Sequence, residues 1–360
     1  MFFKNMEKKS SAFSSRFIID GVPQGPTPAD MLLPLEGLKP SEESLDEIVD
    51  ESTDLAPSVY KFTAARISDY LAEVLAFKEG RPMPVQFTDS LTKGRIAASL
   101  IDTIWRTGES GLEDLSLFLS WKWDESPVGN MAALYSSVEA AAEYIDALGL
   151  PVSGHEYTPG EGGCRFSARV SGAPGSRKCP SKAPVEASDW VIYVPFDPCE
   201  FRLGGSRLSE AVGARSSVAP DISDAGYFTD CYELVRELVA DGIVRSGVTV
   251  LEGGLLKALS DLLPDGCGIS ADITGIMRAY EEFPVRVLFS EIPGVILTFR
   301  DSDFDYIDAE FILQDVAYYP LGHITPGKDG ISVITLSQQP RIRFGLVWLE
   351  SVGHEYSFLF

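Results

Sequence analysis

The chain has 360 residues, with 53 Asp and Glu against 30 Lys and Arg, which gives a net charge of −23. This length allows two domains, and the negative charge opposes non-specific binding to nucleic acid or to an anionic membrane. Five cysteines without a Cys-x-x-Cys pair indicate neither a disulfide framework nor a zinc ribbon, and no apolar run is long enough for a membrane span. We therefore expect a cytoplasmic protein with no nucleic-acid or membrane partner.

Apolar spacing predicts the elements of the first half of the chain. They are a strand at 17–19, helices over 65–77 and 96–104, a strand at 115–121, a helix at 131–148 and a strand that begins at 150–152. Residues 21–57 are rich in Pro, Gly and acids, which indicates irregular backbone on the surface. Residues 159–187 show no periodicity, so we place a domain boundary near them.

The second half of the chain predicts a mixed sheet with helices. Its elements are a strand at 190–196, helices over 230–241 and 255–263, and strands at 285–289, 295–299, 321–323 and 331–336. Two apolar strands follow at 344–348 and 356–360. Because an uncovered apolar strand invites aggregation, we expect the chain itself or a partner to cover this pair.

A glycine pair, Gly253 and Gly254, opens an amphipathic helix in VLEGGLLKAL, residues 250–259. Such a helix start lets backbone N–H groups face a phosphate. A phosphate site also needs cations, or carboxylates that hold Mg²⁺, yet residues 247–252 supply only Glu252. We interpret this region as a backbone scaffold that is retained although its phosphate site is lost. The alternative explanation for the glycines is a close approach of two backbone segments.

The other candidate residues support no separate chemistry. The cysteines have no histidine at motif distance, His323 in a Pro-Leu-Gly-His turn is expected to be structural, and the acids of residues 301–305 are expected to form a solvated turn.

Several short motifs, in register along residues 60–325, resemble the AIR synthase superfamily. The closest resemblance is to the second half of the long, single-chain formylglycinamide ribonucleotide amidotransferases, the FGAM synthases of purine biosynthesis. The motifs are RIA from Arg95, LGLPVSGHEY (148–157), FRLGGSRL (201–208), VTVLEGGLLKAL (248–259), VLFSEIPGVIL (287–297) and PLGHIT (320–325). None is specific alone; their shared order carries the resemblance.

The resemblance implies an α+β fold, an AIR synthase-like two-domain half. Its N-terminal domain of sheet plus helices would pair into a barrel with another such domain, and its C-terminal domain would be a mixed sheet with helices. The implied boundaries are an N-terminal strand and acidic segment at 1–55, the N-terminal domain at 56–165, the C-terminal domain at 186–328 and a strand extension at 329–360.

The family's nucleotide-handling groups fall on unsuitable residues here. Its Lys-Asp-Ser motif falls on residues 155–157, which read His-Glu-Tyr, and its His-Asp-Arg-Ser-Asp motif falls on residues 248–252. Its Mg²⁺-ligating Glu falls on Leu100 or, with a slip of one residue, on Ser99, and its metal-binding Asp matches Ser58 or a neighbour. Apolar groups cannot replace oxygen ligands to Mg²⁺.

We therefore expect no catalytic residue, no metal ligand and no cofactor, but a remnant of the phosphate and Mg²⁺ site. The residues of this predicted remnant are Ser58, Ser99, His155, Glu156, Glu252, Gly253 and Gly254.

The function that the resemblance implies is a non-catalytic structural half. Its partner would be a catalytic FGAM synthase half or a second copy of itself, with residues 115–121 and neighbouring strands at the contact and a glutaminase subunit in the assembly. Two alternatives remain open. One is an active ATP-dependent FGAM synthase subunit, a C–N ligase, with an altered site for Mg-ATP or Mg-ADP that uses Glu156, Glu252 and Glu291. The other is an independent regulatory or scaffolding module.

Overall fold

The structure, a computed structural model, describes residues 12–19, 21–36, 72, 81–106, 110–172, 189–211, 218–327 and 330–335, together with the backbone of strands at 59–62, 342–344 and 356–359. Ser58 and nearly all of the helix predicted at 65–77 lie outside this part of the chain.

Strands and helices of the described residues are numbered in chain order. The strands are β1 (Ile18–Ile19), β2 (Val22–Pro23), β3 (Val59–Phe62), β4 (Ser116–Trp123), β5 (Val152–Pro159), β6 (Arg165–Ser171), β7 (Trp190–Pro195), β8 (Ser246–Val250), β9 (Cys267–Asp272), β10 (Gly294–Phe299), β11 (Tyr319–Pro326), β12 (Gly330–Ile334), β13 (Ile342–Phe344) and β14 (Tyr356–Leu359). The helices are α1 (Pro28–Leu32), α2 (Thr88–Arg106), α3 (Asn130–Ala147), α4 (Arg207–Ala211), α5 (Ala225–Ala240), α6 (Gly254–Leu262), α7 (Thr274–Ala279), α8 (Pro284–Phe289) and α9 (Phe304–Leu313).

A three-stranded sheet in the order β5-β4-β6 forms the first layer. β4 is parallel to β5 and antiparallel to β6. Its side chains alternate, so that Leu117, Leu119, Trp121 and Trp123 face inward and are buried. The helices α2 and α3 pack beside this sheet in the same apolar core.

A seven-stranded mixed sheet in the order β13-β12-β9-β11-β7-β10-β8 forms the second layer. β10 pairs antiparallel with β7 and β8, whereas β12 pairs parallel with β9. Every residue of β10 is buried, because both faces of the sheet are covered there. Val295, Leu297 and Phe299 belong to the core shared with α2 and α5, while Ile296 belongs to a second core with α6, α7 and α8. The predicted α+β fold is confirmed.

Helix α2 joins the two layers. It contacts β6 of the first sheet and β8 and β10 of the second. Trp105, near its C-terminal end, donates a hydrogen bond from Nε1 to Thr249 Oγ1 at 3.0 Å. A Cβ atom at Gly247 would lie 2.3 Å from the Trp105 ring, so this contact requires glycine on β8.

Most predicted elements are present, with shifts of a few residues at their ends, but the strand predicted at 285–289 is wrong. These residues form α8, which begins with Pro284 at its first turn. A short apolar run cannot distinguish a buried strand from a buried helix, and proline at the first helical position favours the helix. The sequence also missed β6, inside the stretch judged aperiodic, as well as β8 and α9.

The last apolar strand is covered by the chain itself. β14 pairs antiparallel with β3, with Tyr356 opposite Phe62 and Leu359 opposite Val59. Of the other predicted C-terminal strand, only Phe344 lies within the described residues, at the end of β13, and it pairs with β12.

Candidate functional site

The candidate site lies at the N-terminus of α6, where the chain turns sharply at the glycine pair. Gly253 and Gly254 have φ angles of +86° and +67°, a region that other residues rarely adopt. A Cβ atom at Gly254 would lie 2.6 Å from the carbonyl oxygen of Leu288. The glycines are therefore required by backbone geometry and by close packing against α8.

A carboxylate of the chain itself occupies this helix start. Glu291 Oε1 accepts hydrogen bonds from the backbone N–H of Gly253 at 2.9 Å and of Arg207 at 2.8 Å. The Glu291 side chain is only 3% exposed. The positive end of the helix dipole thus already faces an anion.

Arg81 neutralises Glu291 and ties it to two other carboxylates. Its Nη2 donates to Glu291 Oε2 at 2.8 Å and to the Gly205 carbonyl oxygen at 2.6 Å, and its Nη1 donates to Glu210 Oε2 at 2.6 Å. Its Nε lies 3.9 Å from Glu252 Oε1. The side chains of Arg81 and Glu291 are 2% and 3% exposed, so this pair is shielded from solvent, whereas Glu252 and Glu210 are partly exposed.

Arg95 on α2 completes the cluster. It donates to Glu252 Oε1 at 2.9 Å, to the Phe166 carbonyl oxygen at 3.1 Å and to the Arg81 carbonyl oxygen at 3.1 Å. Through these bonds α2 contacts β6, the segment before α2 and the turn before α6. Glu252, a residue of the predicted phosphate and Mg²⁺ site, lies beside both arginines.

Burial and the neighbouring charges change the pKa values of these side chains in opposite directions. Burial raises the pKa of Glu291, while Arg81 opposes that change. Burial alone would lower the pKa of Arg81, but its attraction to Glu291, Glu210 and Glu252 raises it above the ordinary value. For Arg95 burial dominates and lowers the pKa, despite Glu252. The attraction between the arginines and the carboxylates therefore compensates for the cost of burying their charges.

The cleft that remains beside the cluster is very small. Its lining includes Leu91 and Arg95 of α2, Ile222, Leu251 and Glu252, and its volume is about 10 Å³. Such a volume holds roughly one water molecule. The carboxylates near this cleft, Glu252 and Glu291, are engaged with arginines.

His155 and Glu156 do not form one site, because neighbouring residues on β5 point to opposite faces of the sheet. His155 Nδ1 lies 2.9 Å from Glu36 Oε1, and its ring stacks on Phe13 with centroids 5.3 Å apart. Glu156 is exposed and accepts a hydrogen bond from Ser120. Phe13 and Glu36, which lie before and after α1, thus cover His155, the residue at the family's lysine position.

The structure brings together only part of the predicted remnant. Glu252, Gly253 and Gly254 lie around one point, and Ser99 lies one helical turn beyond Arg95 on α2. In the part of the chain that the structure describes, His155 Nδ1 lies within hydrogen-bond distance of Glu36, and Glu156 accepts a hydrogen bond from Ser120. The assignment of these residues to a former nucleotide site stays a prediction.

Sequence reasoning missed two residues that hold the site together, Arg81 and Glu210. Arg95, Arg207 and Glu291 were inside the quoted motifs RIA, FRLGGSRL and VLFSEIPGVIL, but their contacts were not predicted. A lone arginine before a helix carries no pattern that reveals burial, so Arg81 could not have been found this way.

Comparison with known proteins decides what the chain is similar to. No family model matches the chain. It is 27% identical over 231 residues to phosphoribosylformylglycinamidine synthase of Homo sapiens, a match that covers 59% of this chain and 17% of that protein. The chain is thus similar in sequence to phosphoribosylformylglycinamidine synthases, and it spans about a sixth of the length of these relatives. It is also 24% identical over 249 residues to the probable chloroplastic/mitochondrial phosphoribosylformylglycinamidine synthase of Arabidopsis thaliana, covering 64% of this chain and 17% of that protein.

A solved structure supports the fold independently. Escherichia coli HypE matches with a TM-score of 0.50 at 12% identity, covering 91% of this chain and 98% of HypE. At this identity the likeness shows the fold alone, and it agrees with the predicted two-domain half.

Two further observations concern the described residues. Among them, no group of three or more His, Cys, Asp or Glu side chains is placed to hold a metal ion. None of the helices in this part of the chain is long and apolar enough to cross a membrane.

Proposed function

We propose that the chain is a non-catalytic FGAM synthase-like half of purine biosynthesis, which partners a catalytic FGAM synthase half in the cytoplasm without a cofactor of its own. The observation that carries this proposal is the closed cleft at the start of α6, where Glu291 takes the position of an anion and Arg81 neutralises it. The sequence similarity to phosphoribosylformylglycinamidine synthases supports the pathway.

The free energy that would be needed to open the cluster supports the proposal. To admit a phosphate chain at the Gly253 N–H, the chain would have to move Glu291 and leave Arg81 short of a buried partner. Breaking a buried ion pair costs about 3–5 kcal/mol, and each 1.4 kcal/mol is about a tenfold change in affinity. A nucleotide that would otherwise bind at micromolar concentration would then bind at roughly millimolar concentration.

The residue at the family's lysine position also supports the proposed non-catalytic function. This position holds His155, and Glu36 and Phe13 already contact its ring. A phosphate here would meet a carboxylate and an aromatic ring rather than a cation. Both ends of the family's phosphate-handling region are thus filled by the chain's own side chains.

Titration with Mg-ATP tests the proposal against an active enzyme. We expect no saturable heat by calorimetry up to about millimolar Mg-ATP, and no FGAM synthase turnover by the purified chain with ammonia as nitrogen donor. A catalytic FGAM synthase half, measured in parallel, is the positive control. Micromolar binding, which corresponds to about −8 kcal/mol, or turnover by the chain alone would establish the active alternative instead.

A further inference from the structure

We propose that the exposed face of helix α9 is a docking surface, and that it binds a cationic amphipathic helix of a partner protein. The surface, which we name the α9 face, consists of Tyr306, Ala309, Ile312 and Leu313. This inference goes beyond the proposed function, because it does not depend on which half carries out catalysis.

The α9 face is one continuous apolar stripe. Tyr306, Ile312 and Leu313 are 46%, 69% and 76% exposed, and Ala309 between them is exposed as well. Positions 306, 309 and 313 follow the spacing of one helix face, and position 312 is the neighbour of position 309 on the next turn. Of the ten large apolar side chains exposed among the described residues, three lie on this helix of ten residues. Such a contiguous patch is typical of an interaction site, whereas single exposed apolar residues are not.

The opposite face of α9 already packs into the core. Ile307 and Phe311 are 1% and 0% exposed, and the ring of Phe304 lies 4.9 Å from that of Trp190 between centroids. The helix therefore carries apolar side chains on both faces. This pattern is typical of a helix that is covered on all sides, but the described part of the chain covers only one side of α9.

The border of the α9 face is acidic. Partial desolvation and three nearby carboxylates raise the pKa of the Tyr306 hydroxyl. These carboxylates belong to Glu310 of α9 and to Asp241 and Glu237 at the end of α5. Arg236 on α5 is already paired with glutamates of its own helix. The charge beside the stripe is therefore negative.

The C-terminal end of α9 also favours a cation. Residues 300–315 contain six carboxylates and one basic residue, Arg300, which lies before the helix. The last turn of α9 contains no basic residue. Because the C-terminal end of a helix dipole is partially negative, a Lys or Arg of a partner would be stabilised there. Ile312 and Leu313, the most exposed residues of the α9 face, lie at this same end.

The charge selects the occupant of the α9 face. A second copy of the chain would bring like charges together across the interface, which disfavours self-association through this face. An anionic membrane surface is opposed for the same reason. An amphipathic helix with leucine-type side chains on one face and Lys or Arg along its edges matches both the apolar stripe and its acidic border. This chemistry defines the partner.

A peptide titration of the full chain tests the α9 face. The probe is a fluorescent amphipathic peptide of about 18 residues, five helical turns, with leucines on one face and lysines on the other. A matched peptide carries glutamate in place of lysine. The variants are Ile312→Ser and Leu313→Ser, with Ile18→Ser and Val128→Ser as controls that remove apolar side chains exposed elsewhere, by 69% and 103%.

We expect saturable binding of the lysine peptide, followed by fluorescence anisotropy, and at least about tenfold weaker binding by each α9 variant, because a leucine-sized contact is lost. The two control variants should bind as the native chain does, and higher salt should weaken binding, because exposed charges are screened. Circular dichroism checks folding, and the two α9 variants are measured separately so that misfolding of one leaves the other as the test.

Three results would overturn the proposal. They are equal binding of the glutamate peptide, equal loss of binding in the α9 and control variants, and no saturable binding by the native chain. A dimer of the native chain in light scattering that Leu313→Ser dissociates would assign the α9 face to a second copy, and it would also overturn the cationic partner.

Discussion

Arg81 illustrates how one buried residue can hold distant parts of a chain together. Its partners Gly205, Glu210 and Glu291 lie 124, 129 and 210 residues further along the sequence. A buried charge is costly unless its hydrogen bonds and charges are matched. The three contacts supply this match, so loss of the arginine would leave Glu291 buried without a cation.

We predict that Arg81→Met lowers the free energy of unfolding by about 3–5 kcal/mol, because it leaves the buried Glu291 carboxylate without a cation. Urea unfolding followed by circular dichroism measures the change. The control is Arg169→Met, since Arg169 is 69% exposed and lies 3.9 Å from Glu156. That variant should lose less than about 1 kcal/mol. Similar losses in the two variants would contradict a special role for Arg81.

Single residues also set the limit of sequence reasoning at the site. Glu252 and the glycine pair are adjacent along the chain, so a local motif was enough to place them together. His155 and Glu156 are adjacent too, but strand geometry sends them to opposite faces. Residues that are adjacent in sequence can therefore share a site at a helix start. Adjacent residues on a strand, by contrast, point to opposite faces of the sheet.

Among the elements, α6 depends most on a single backbone position. Gly254 combines a positive φ angle with close approach of the α8 carbonyl group of Leu288. Either condition alone disfavours a side chain. Their combination fixes α6 against α8 and aims the helix start at Glu291.

We predict that Gly254→Ala is considerably more destabilising than Gly266→Ala. Gly266 has a φ angle of +73° but no atom within 4 Å of a Cβ, so alanine there costs only backbone strain, about 1–2 kcal/mol. At Gly254 the clash adds about 1–3 kcal/mol. Thermal and urea unfolding of both variants measure the difference. Equal losses would show that α8 moves aside without cost.

The helix α8 shows why an element can be mispredicted while its burial is predicted correctly. Val285, Val287, Leu288 and Phe289 are all buried, as the apolar run indicated. Burial on all sides removes the alternation that distinguishes the two kinds of element. The decision between helix and strand came from neighbouring segments, since α8 fits between α6 and α7.

At the scale of the molecule, the order of the first sheet restricts how a partner can bind. β4 is hydrogen-bonded on both sides, to β5 and β6. The strand predicted at 115–121 therefore has no free edge, and a partner strand would have to add to β5 or β6. Parts of these edges already form single bridges, Glu36 with Val152 and Met83 with Cys164.

We predict that the chain forms a stable complex when co-expressed with the catalytic FGAM synthase half of its own organism. Light scattering after size exclusion should give one species with the summed mass, and the complex should have FGAM synthase activity that the chain alone lacks. An unrelated amidotransferase is the control. Separate elution of the two chains, or self-association of this chain alone, would contradict a catalytic partner.

The sequence by itself determined the α+β class, most helices and strands, and the glycine helix start, because these depend on local periodicity and on backbone conformations that few residues allow. It also predicted, from an alignment of motifs, which ionic groups of the family are replaced. Only the tertiary structure decided which charged groups meet at the helix start. Arg81, Glu210 and Glu291 are far apart along the chain, and the free energy that pairs them arises only when folding removes them from water and leaves each charge no other partner.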